Sequence, residues 1–502
     1  RDRSNAVYHL LDEITKNGQT TFLVVEPAKG EYKNVFGNCT DVQVFGTNPR
    51  ETPLLRMNPF AFPENIHILE HIDRLVEIFN ACWPMYAAMP AVLKDAIERS
   101  YQKVGWDLRN SESEKGVFPT FFDLLDILPG VIEESHYSKD TQSDYVGALC
   151  TRVKSLTNGI YGSVLCAEDA LTDEALFDRN VIVDLSRVGS METKSLLMGI
   201  LVMKLQEYRM CSSGMNSRLR HVTVLEEAHN LLRKTSAEQS QEGANLQGKS
   251  VEMLANAIAE MRTYGEGFII ADQAPGLLDM SVIRNTNTKI ILRLPDEEDR
   301  KLVGKSAALK EAQIDELSKL PLGVAAVYQN EWPEAVLCKI EAYPMPENAV
   351  YHKPSKMPHE INAEFVFGQL AAGKELEPLS ISEMEQLKLW LKRHETVLKP
   401  EDSRYLEWVF AGGELDVAKT RKAVFDFFDG ISTVIDYCAA AEKSFTPRKE
   451  FLEQLQGQYG LKAAAADWVL NSVISMGMSL NPDAEAVEDL RTNFEQQGGR
   501  VL

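Results

Sequence analysis

Several features are scarce in this sequence, and each absence excludes a class of protein. Only seven cysteines occur in 502 residues and none forms a CxxC pair, which argues against a disulfide framework and a structural zinc site. No apolar run reaches the roughly 18 residues that a membrane-spanning helix needs. No signal-peptide pattern opens the chain. We therefore expect a protein of the reducing cytoplasm without a membrane segment.

Positive charge is also in deficit. The 74 acidic residues outnumber the 53 basic residues, so the formal net charge is −21. This excludes a uniformly basic coat for nucleic acid, but it leaves a narrow basic channel open because steering depends on the local field. With 44% hydrophobic and 25% charged residues the composition is globular. At ~150 residues per domain, the length favours about three domains.

The first half of the chain changes character once. Residues 1–58 combine a helical pattern with two short β-rich runs, Thr21–Glu26 and Val42–Phe45. Residues 59–178 carry mainly helical spacing of apolar side chains. We interpret the first stretch as part of an α/β domain and the second as a helical insertion.

The α/β pattern returns in residues 179–350, where short apolar runs alternate with helical segments. Such alternation is typical of a mostly parallel sheet that helices cover on both faces. Residues 351–502 again show only helical patterns, as in Glu383–Arg393 and Arg421–Phe428. The predicted strands of the third stretch are Val181–Leu185, His221–Leu225, Gly267–Ala271, Lys289–Leu294 and Val324–Tyr328.

The strongest chemical feature is VTVLEEAHNLL, Val222–Leu232, in which a buried strand ends in two carboxylates. Ligands of parallel α/β sheets bind beyond the carboxyl ends of the strands. Glu226 can orient Mg²⁺ through its water there, and Glu227 can polarise an attacking water. A strand that happens to end in a solvated acidic turn is the alternative. His229 and Asn230, which follow closely, favour the functional interpretation.

Two further polar features are weaker. Gln273 follows the predicted strand Gly267–Ala271, where an amide can sense a γ-phosphate or hold the attacking water, although a simple strand cap explains it as well. Arg262 and Arg284 lie at a helix end and in a loop. In ring ATPases such an arginine reaches the phosphate of a neighbouring subunit. Without the two acids, surface arginines would be the better interpretation.

The chain opens on RDRSNAVYHLLDE. A P-loop has the pattern Gly-x-x-x-x-Gly-Lys-[Ser/Thr] between a strand and a helix, so that backbone N–H groups surround phosphates. Here Arg3 stands in place of the lysine, Ser4 in place of the Mg²⁺-binding hydroxyl and Asp2 in place of the second glycine. The upstream strand and first glycine are not in the sequence, so we expect this end to be incomplete. An ordinary serine N-cap on a surface helix is the alternative.

Two GKS tripeptides are expected to be helix starts and not phosphate sites. Gly248–Ser250 follows a polar stretch, Lys234–Gly248, that is predicted to be a loop. Gly304–Ser306 has Asp299 where the pattern requires the first glycine.

Together these features resemble the HerA family of ring-forming ATPases, relatives of the FtsK translocases and the conjugation ATPases. Seven segments agree in series, in order and in spacing, over about Ser4–Tyr343. The C-terminal helical region is not covered. The segments are SNAVYHLLDEI, FLVVEPAKGEY, PLLRMNPF, VIVDLSRVGS, VTVLEEAHNLL, RTYGEGFIIADQAPGLLD and NTNTKIILRL.

The resemblance implies a RecA-like P-loop ATPase core with a helical insertion, assembled as a homohexameric ring that holds ATP and Mg²⁺ between subunits. It makes Ser4 the P-loop hydroxyl, Glu226 and Glu227 the Walker B pair, and Gln273 the sensor. Arg262 is the better arginine-finger candidate. The residues carried over are Arg3, Ser4, Asn5 and Glu31 for the nucleotide, Ser4 and Glu226 for the metal, and Glu226, Glu227, Gln273, Arg262 and Arg284 for catalysis.

The function that the resemblance implies is an ATP-driven translocase or helicase motor on double-stranded DNA. It would work with a partner effector, a nuclease or a sirtuin-type NAD-consuming enzyme, in anti-phage defence or DNA end processing. The alternative is a ring scaffold that activates its partner with little or no ATPase activity, because an arginine is no simple substitute for the P-loop lysine. An α/β protein with an inactive nucleotide site is a third interpretation, which the agreement of seven segments disfavours.

Overall fold

The structure is a computed structural model of the chain, and it divides into two compact units. The first unit comprises residues 1–114 and 118–354, and the second comprises residues 115–117 and 355–502. The described residues are 2–16, 18–86, 88–114, 116–167, 169–235, 245–345, 349–354, 399–410, 413–459 and 463–501, with Val366, Leu370, Leu379 and Leu387.

The strands of the described residues all lie in the first unit. They are β1 (Thr21–Glu26), β2 (Val42–Gly46), β3 (Trp106–Asp107), β4 (Glu112–Ser113), β5 (Asn180–Asp184), β6 (His221–Glu226), β7 (Glu266–Ala271), β8 (Thr288–Ile291), β9 (Val324–Gln329) and β10 (Val336–Lys339).

The α-helices of the described residues fall in both units. In the first unit they are α1 (Asp2–Thr15), α2 (Tyr32–Phe36), α3 (Ile68–Cys82), α4 (Met89–Lys103), α5 (Phe121–Glu134), α6 (Lys139–Tyr145), α7 (Thr151–Thr157), α8 (Gly159–Leu165), α9 (Asp173–Phe177), α10 (Met191–Ser212), α11 (Leu246–Glu260), α12 (Met280–Asn285), α13 (Glu297–Ser306) and α14 (Glu311–Glu316). In the second unit they are α15 (Pro400–Phe410), α16 (Val417–Phe427), α17 (Gly430–Ala441), α18 (Pro447–Tyr459), α19 (Ala463–Leu480) and α20 (Ala484–Gln496). None of them is both long and apolar enough to cross a bilayer.

A five-stranded parallel sheet in the order β2-β5-β1-β6-β7 forms the centre of the first unit. Successive side chains of a strand point to opposite faces, and in β1 both sets are apolar and buried. Leu23 and Val25 contribute to a large core that includes side chains of α3, α10 and α11. Phe22 and Val24 contribute to a smaller core with α1 and α2. This two-sided burial confirms the predicted parallel sheet with helices on both faces.

The helical insertion leaves the sheet after β2 and returns at β5. It contains α3 to α9 and the short β3–β4 hairpin, and its apolar side chains extend the large core. The start of α5 shows why a helix begins there, because Thr120 and Asp123 form a capping box. The N-cap hydroxyl accepts a hydrogen bond from Phe122, and the Asp123 carboxylate accepts one from the Thr120 N–H. The sequence prediction of helices between the two sheet segments is therefore confirmed.

Two predicted strands do not join the central sheet. The runs Lys289–Leu294 and Val324–Tyr328 yield β8 and β9, which pair antiparallel in a separate three-stranded sheet in the order β10-β9-β8. The short connection from β9 to β10 permits an antiparallel pair, whereas a parallel pair needs a crossover of about a dozen residues or more. Ile291, Ala326 and Leu317 form a small core of their own beneath this sheet.

Helices are the regular secondary structure of the second unit in its described residues, as predicted. Its core is built from large side chains of α15 to α20, among them Phe410, Tyr437 and Phe494. The predicted helix Glu383–Arg393 lies outside the described residues except for Leu387. Most of the predicted loop Lys234–Gly248 lies outside them as well.

The two GKS tripeptides lie at opposite ends of their helices. Gly248–Ser250 lies in the first turn of α11, as predicted. Gly304–Ser306 lies in the last turn of α13, so its assignment to a helix start was wrong. The true start of that helix is capped by Asp296, whose side chain accepts a hydrogen bond from the Asp299 N–H.

Candidate functional site

Acidic residues stand at the carboxyl ends of four neighbouring strands. Asp184 ends β5, Glu26 ends β1, Glu226 ends β6, and Asp272 follows β7 directly. The register pairs Glu26 with Asp184 and Glu226 with Ala271, so the four carboxylates lie along the same edge of the sheet. This edge is where open α/β sheets bind ligands.

Glu226 is buried, with 3% of its surface exposed. Its carboxylate accepts a hydrogen bond from the buried Tyr32 hydroxyl and lies 2.9 Å from the Arg3 guanidinium. Burial raises the pKa of Glu226, and the neighbouring Glu227 charge acts in the same direction, while Arg3 and Tyr32 oppose them. Arg3 and Tyr32 therefore favour the ionised carboxylate of Glu226, whereas its burial and the Glu227 charge favour the protonated form.

Glu227 is also buried and is held by one carboxylate oxygen. Its Oε1 accepts a hydrogen bond of 2.6 Å from Arg3, whereas its Oε2 is buried without a hydrogen-bond partner. The backbone at Glu227 is left-handed, with φ of 46°, which costs a non-glycine residue of order 1 kcal/mol. The Asn230 amide donates to the Glu227 main-chain carbonyl at 2.7 Å and stabilises this turn. A strained, partly unpaired carboxylate of this kind is typical of a functional position.

Arg3 connects the two glutamates. A single terminal nitrogen, Nη2, lies 2.9 Å from Glu226 Oε2 and 2.6 Å from Glu227 Oε1. Burial alone would lower the pKa of Arg3, but the two carboxylates raise it overall. Its Nε and Nη1 atoms are buried without hydrogen-bond partners. Two nitrogen atoms of the guanidinium thus remain unbonded.

Glu26 organises the loop that follows β1. Its carboxylate accepts hydrogen bonds from the N–H groups of Glu31 at 2.8 Å and Tyr32 at 3.1 Å, where α2 begins. Burial raises the pKa of Glu26 to about 8, and Asp184 and Glu226 add to the rise against these two donors. This arrangement places Tyr32 so that its hydroxyl reaches Glu226.

Asp184 is tied to the same loop. Lys33 of α2 lies 2.5 Å from Asp184 Oδ2. Gly30 has φ of 65°, and a Cβ added there would lie 3.1 Å from Asp184 Oδ2 and from the Ser186 hydroxyl. Glycine is therefore the residue that fits this turn, because a side chain would be strained and crowded.

His229 and Asp272 form a pair next to Glu227. His229 Nδ1 lies 2.8 Å from Asp272 Oδ2, and the His229 N–H donates to the same oxygen at 2.9 Å. The Ala274 N–H donates to Asp272 Oδ1 at 2.9 Å. His229 Nδ1 is also 3.6 Å from the unpartnered Glu227 Oε2. The backbone therefore fixes Asp272, which in turn orients the imidazole.

The chain shares sequence similarity with two curated proteins. The chain is 32% identical over 124 residues to the DNA double-strand break repair helicase HerA of Sulfolobus acidocaldarius, which is 24% of this chain and 23% of the relative. It is 30% identical over 123 residues to a probable helicase of Methanocaldococcus jannaschii, 24% of this chain and 22% of the relative. Over this part of its length the chain is similar to HerA and to a probable helicase.

These similarities span less than a quarter of the curated relatives' lengths. No protein-family model matches the chain. The solved structure of VirB4 of Thermoanaerobacter pseudethanolicus superimposes with a TM-score of 0.51 at 19% identity, over 68% of this chain and 87% of that one. At this identity the similarity shows the fold alone, and it agrees with the predicted α/β core built on a mostly parallel sheet.

The structure brings part of the predicted site together. Arg3, Glu226 and Glu227 are in direct contact. Ser4 is buried in the first turn of α1, next to Arg3. Glu31 is the N-cap of α2, and its main-chain N–H is bound by Glu26.

Four other predicted residues lie apart from this contact. Asn5 bonds the backbone of the segment around residue 342, donating to the Glu341 carbonyl and accepting from the Tyr343 N–H. Gln273 is exposed directly after Asp272. Arg262 is exposed before β7, at the sheet edge opposite the acids, and Arg284 is exposed on α12.

Some residues of the site were missed from the sequence. Glu26 and Asp184 end apolar runs just as Glu226 does, so the same pattern contained a usable signal. Asp272 was passed over in favour of its neighbour Gln273. Tyr32 carried no signal, because its contact with Glu226 joins residues 194 positions apart.

Proposed function

We propose that this HerA-like chain binds ATP at the carboxyl edge of its central sheet and hydrolyses it. The observation that carries the proposal is the contact of Arg3 with both Glu226 and Glu227. This contact joins the first turn of α1, to which we assign the end of the P-loop pattern, to the two carboxylates at the end of β6. Positive charge from a phosphate-binding helix and negative charge from a strand end are the two halves of an NTPase site.

The oxygen atoms near this contact are suitable ligands for Mg²⁺. The Ser4 hydroxyl and the Glu226 carboxylate are oxygen ligands, the type that Mg²⁺ prefers, and both residues are buried. Mg²⁺ would supply charge neutralisation to the phosphate oxygens of ATP. Tyr32 holds one Glu226 oxygen by its hydroxyl, and Arg3 pairs with the other. The remaining donors of Arg3 are available for phosphate oxygens.

Glu227 has the properties of the residue that activates water. One carboxylate oxygen is anchored by Arg3, and the other is buried and free to accept a proton or a hydrogen bond. A buried carboxylate interacts more strongly with a nearby water than an exposed one, because solvent screens it less. The left-handed turn at Glu227 fixes the direction of the side chain.

We also propose roles for Gln273, Arg262 and Arg284. Gln273 is exposed beside the site and serves as the sensor of the γ-phosphate. Arg262 precedes β7, whose six residues separate it from the acids by roughly 20 Å at ~3.3 Å per residue. It therefore cannot serve the site of its own subunit, which supports a role toward a neighbouring subunit in a homohexamer. Arg284 is the weaker candidate for the same role.

A mixing experiment tests this assignment. Rings of Glu227→Gln subunits and rings of Arg262→Ala subunits are each expected to lack ATPase activity. Mixed rings should recover part of it, because some interfaces then combine an intact Glu227 with an intact Arg262. Arg220→Ala, an exposed arginine at the same sheet edge, serves as the control and should remain active alone. Absence of recovery in mixed rings would exclude a role of Arg262 between subunits.

We further propose that hydrolysis drives translocation on double-stranded DNA in concert with a partner effector, a nuclease or a sirtuin-type NAD-consuming enzyme, in anti-phage defence or DNA end processing. The sequence similarity to a DNA repair helicase supports this reading. The alternative is a scaffold ring with little ATPase activity, which the substitution of arginine for the P-loop lysine favours.

ATPase activity of the full chain, with and without double-stranded DNA, separates the two functions. Stimulation by DNA is the result expected of a motor, and its dependence on salt should be steep because phosphate contacts release counterions. Activity without DNA stimulation would point to an ATPase that a partner protein drives. Absence of hydrolysis together with co-purification of a partner in a fixed ratio would favour the scaffold.

A further inference from the structure

A second group of ligand atoms lies beside the proposed Mg²⁺ position. Glu227, His229 and Asp272 each present one atom, and these three atoms lie within 4.8 Å of one another. The group combines an imidazole with two carboxylates. It is built from the ends of β6 and β7, two neighbouring strands of the rigid sheet. Nothing in the ATPase proposal requires His229 or Asp272 to meet Glu227.

The buried oxygen of Glu227 is the observation that points to a ligand. Glu227 has 6% of its surface exposed, and its Oε2 lacks a hydrogen-bond partner. This oxygen lies 3.6 Å from the Nδ1 atom of His229. A buried carboxylate oxygen without a donor is costly, and it is stabilised when a cation binds it.

The spacing of the atoms suits a metal centre. Bonds of about 2.0–2.2 Å put neighbouring ligand atoms about 2.8–3.1 Å apart in octahedral and about 3.3–3.6 Å apart in tetrahedral geometry. His229 Nδ1 is 2.8 Å from Asp272 Oδ2 and 3.6 Å from Glu227 Oε2, which are the two ends of this range. Small side-chain adjustments would therefore complete the coordination.

The ligands are also oriented in advance. Two N–H groups, those of His229 and Ala274, hold the Asp272 carboxylate from the backbone. Arg3 fixes the other oxygen of Glu227. Hydrogen bonds to ligands from outside the coordination sphere are a general feature of metal sites in proteins.

The local charge favours a cation. Three carboxylates, those of Glu226, Glu227 and Asp272, face Arg3, and the exposed Lys29 is the other cation acting on Glu226. Negative charge is in excess even when both cations are counted. An imidazole ligand selects a transition metal over Mg²⁺, which prefers oxygen ligands alone.

We infer that Glu227, His229 and Asp272 form a binding site for a transition-metal dication of the Zn²⁺, Co²⁺ or Mn²⁺ class, separate from the Mg²⁺ position at Ser4 and Glu226. The site is open enough for exchange, since the His229 side chain is 18% exposed. One consequence rests on the proposed ATPase function. A metal on Glu227 Oε2 occupies the oxygen that would activate water, so Zn²⁺ is expected to inhibit hydrolysis.

The direct test is a titration of the untagged, nucleotide-free full chain with Co²⁺, followed by its visible absorption. We expect Co²⁺ to bind with a spectrum of nitrogen and oxygen ligands, without the intense near-ultraviolet band of a thiolate. Zn²⁺ should displace it and excess Mg²⁺ should not. In His229→Gln the affinity should fall by at least about ten-fold, as for loss of a ligand or its support. Asp272→Asn should show a similar loss.

The matched control is His136→Gln, since His136 is an exposed histidine in the turn between α5 and α6. Its Co²⁺ affinity should equal that of the wild type. Circular dichroism and thermal melting establish that each variant is folded. Equal Co²⁺ binding by the wild type and a folded His229→Gln variant would overturn the inference, and so would absence of binding.

The two proposals fail in different ways. Co²⁺ binding by a chain that does not hydrolyse ATP would leave the metal site in place and remove the ATPase function. Hydrolysis that Zn²⁺ does not inhibit, with no Co²⁺ binding, would leave the ATPase function in place and remove the metal site.

Discussion

The Tyr32 hydroxyl donates a hydrogen bond to the Glu226 carboxylate, and both side chains are buried. The two residues come from different elements, the start of α2 and the end of β6. Tyr32 also donates its main-chain N–H to Glu26, the acid that ends the neighbouring strand. One tyrosine thus links two of the acids at the carboxyl edge and holds the carboxylate that we assign to Mg²⁺.

Replacing Tyr32 with Phe tests this link. The variant keeps the aromatic packing but leaves a Glu226 oxygen without its donor, so we expect the Mg²⁺ concentration for half-maximal ATPase activity to rise about ten-fold. Mg²⁺ titration of the steady-state rate measures it. Tyr101→Phe is the matched control, because it removes a buried hydroxyl that bonds the Phe60 carbonyl far from the site. An unchanged Mg²⁺ dependence in Tyr32→Phe would refute the link.

Arg3 is predicted to stabilise the nucleotide-free protein. Arg3→Ala leaves two adjacent buried carboxylates without their shared counter-charge, so the free energy of unfolding should fall by about 1–3 kcal/mol. Denaturant unfolding measures this. Arg99→Ala, which removes an exposed pair with Glu134, is the control and should cost less than about 1 kcal/mol. A loss for Arg3→Ala no larger than the control would contradict the contact.

The pKa of Glu26 predicts a specific pH dependence. Burial raises the pKa from 4.5 to about 8 in the folded state, so between these values the folded chain binds a proton that the unfolded chain has released. The contribution of Glu26 to stability is therefore present at low pH and is lost as pH rises through this window.

Glu26→Gln removes this titration while keeping an oxygen for the N–H groups of Glu31 and Tyr32. The stability of the variant relative to wild type should rise with pH across the window and level off above it. Unfolding curves at a series of pH values measure the difference, with the exposed Glu133→Gln as control. A difference that does not depend on pH would show that Glu26 keeps an ordinary pKa.

The opposite edge of the sheet contains a buried ion network. Glu266, fully buried at the start of β7, lies 2.9 Å from Arg209 and 2.7 Å from His221, and it accepts a hydrogen bond from Thr223 at 2.7 Å. Glu266→Gln should destabilise the chain by about 1–3 kcal/mol, because it removes one of the two carboxylates that pair with the buried Arg209 guanidinium and leaves Asp178 as the other. Thermal unfolding measures this. Glu297→Gln, in an exposed pair, should have little effect, and equal effects of both variants would contradict the prediction.

The central sheet could be predicted because each of its main strands is recognisable as a short apolar run in the sequence. TFLVVE, VIVD and HVTVLE are short, mostly apolar runs that end in an acid, and burial on both faces of a sheet requires such apolar runs. The run KIILRL looks the same, yet it forms an edge of the antiparallel sheet. An apolar run indicates that a strand is buried, but it does not identify the strand with which it pairs. Here the pairing of β9 with β10 placed these strands in a separate antiparallel sheet.

Site residues could be predicted where a single segment of sequence shows both a suitable side chain and its position at the end of a strand. Glu226 and Glu227 could be identified because they directly end a strand. Asp272 and His229 could not be paired, since their contact depends on the register of β6 against β7. The left-handed backbone of Glu227 has no signature in residue type, because glycine or asparagine would be expected there.

The most direct test of the account compares the full wild-type chain with Glu227→Gln in two assays, equilibrium binding of ATP with Mg²⁺ and steady-state hydrolysis. We predict that the variant binds ATP about as tightly as wild type, because Glu227 is not proposed as a ligand of the nucleotide or of Mg²⁺. Hydrolysis should fall by about 10²–10⁴-fold, the usual cost of removing a general base. Wild-type hydrolysis that persists undiminished in Glu227→Gln would contradict the central claim.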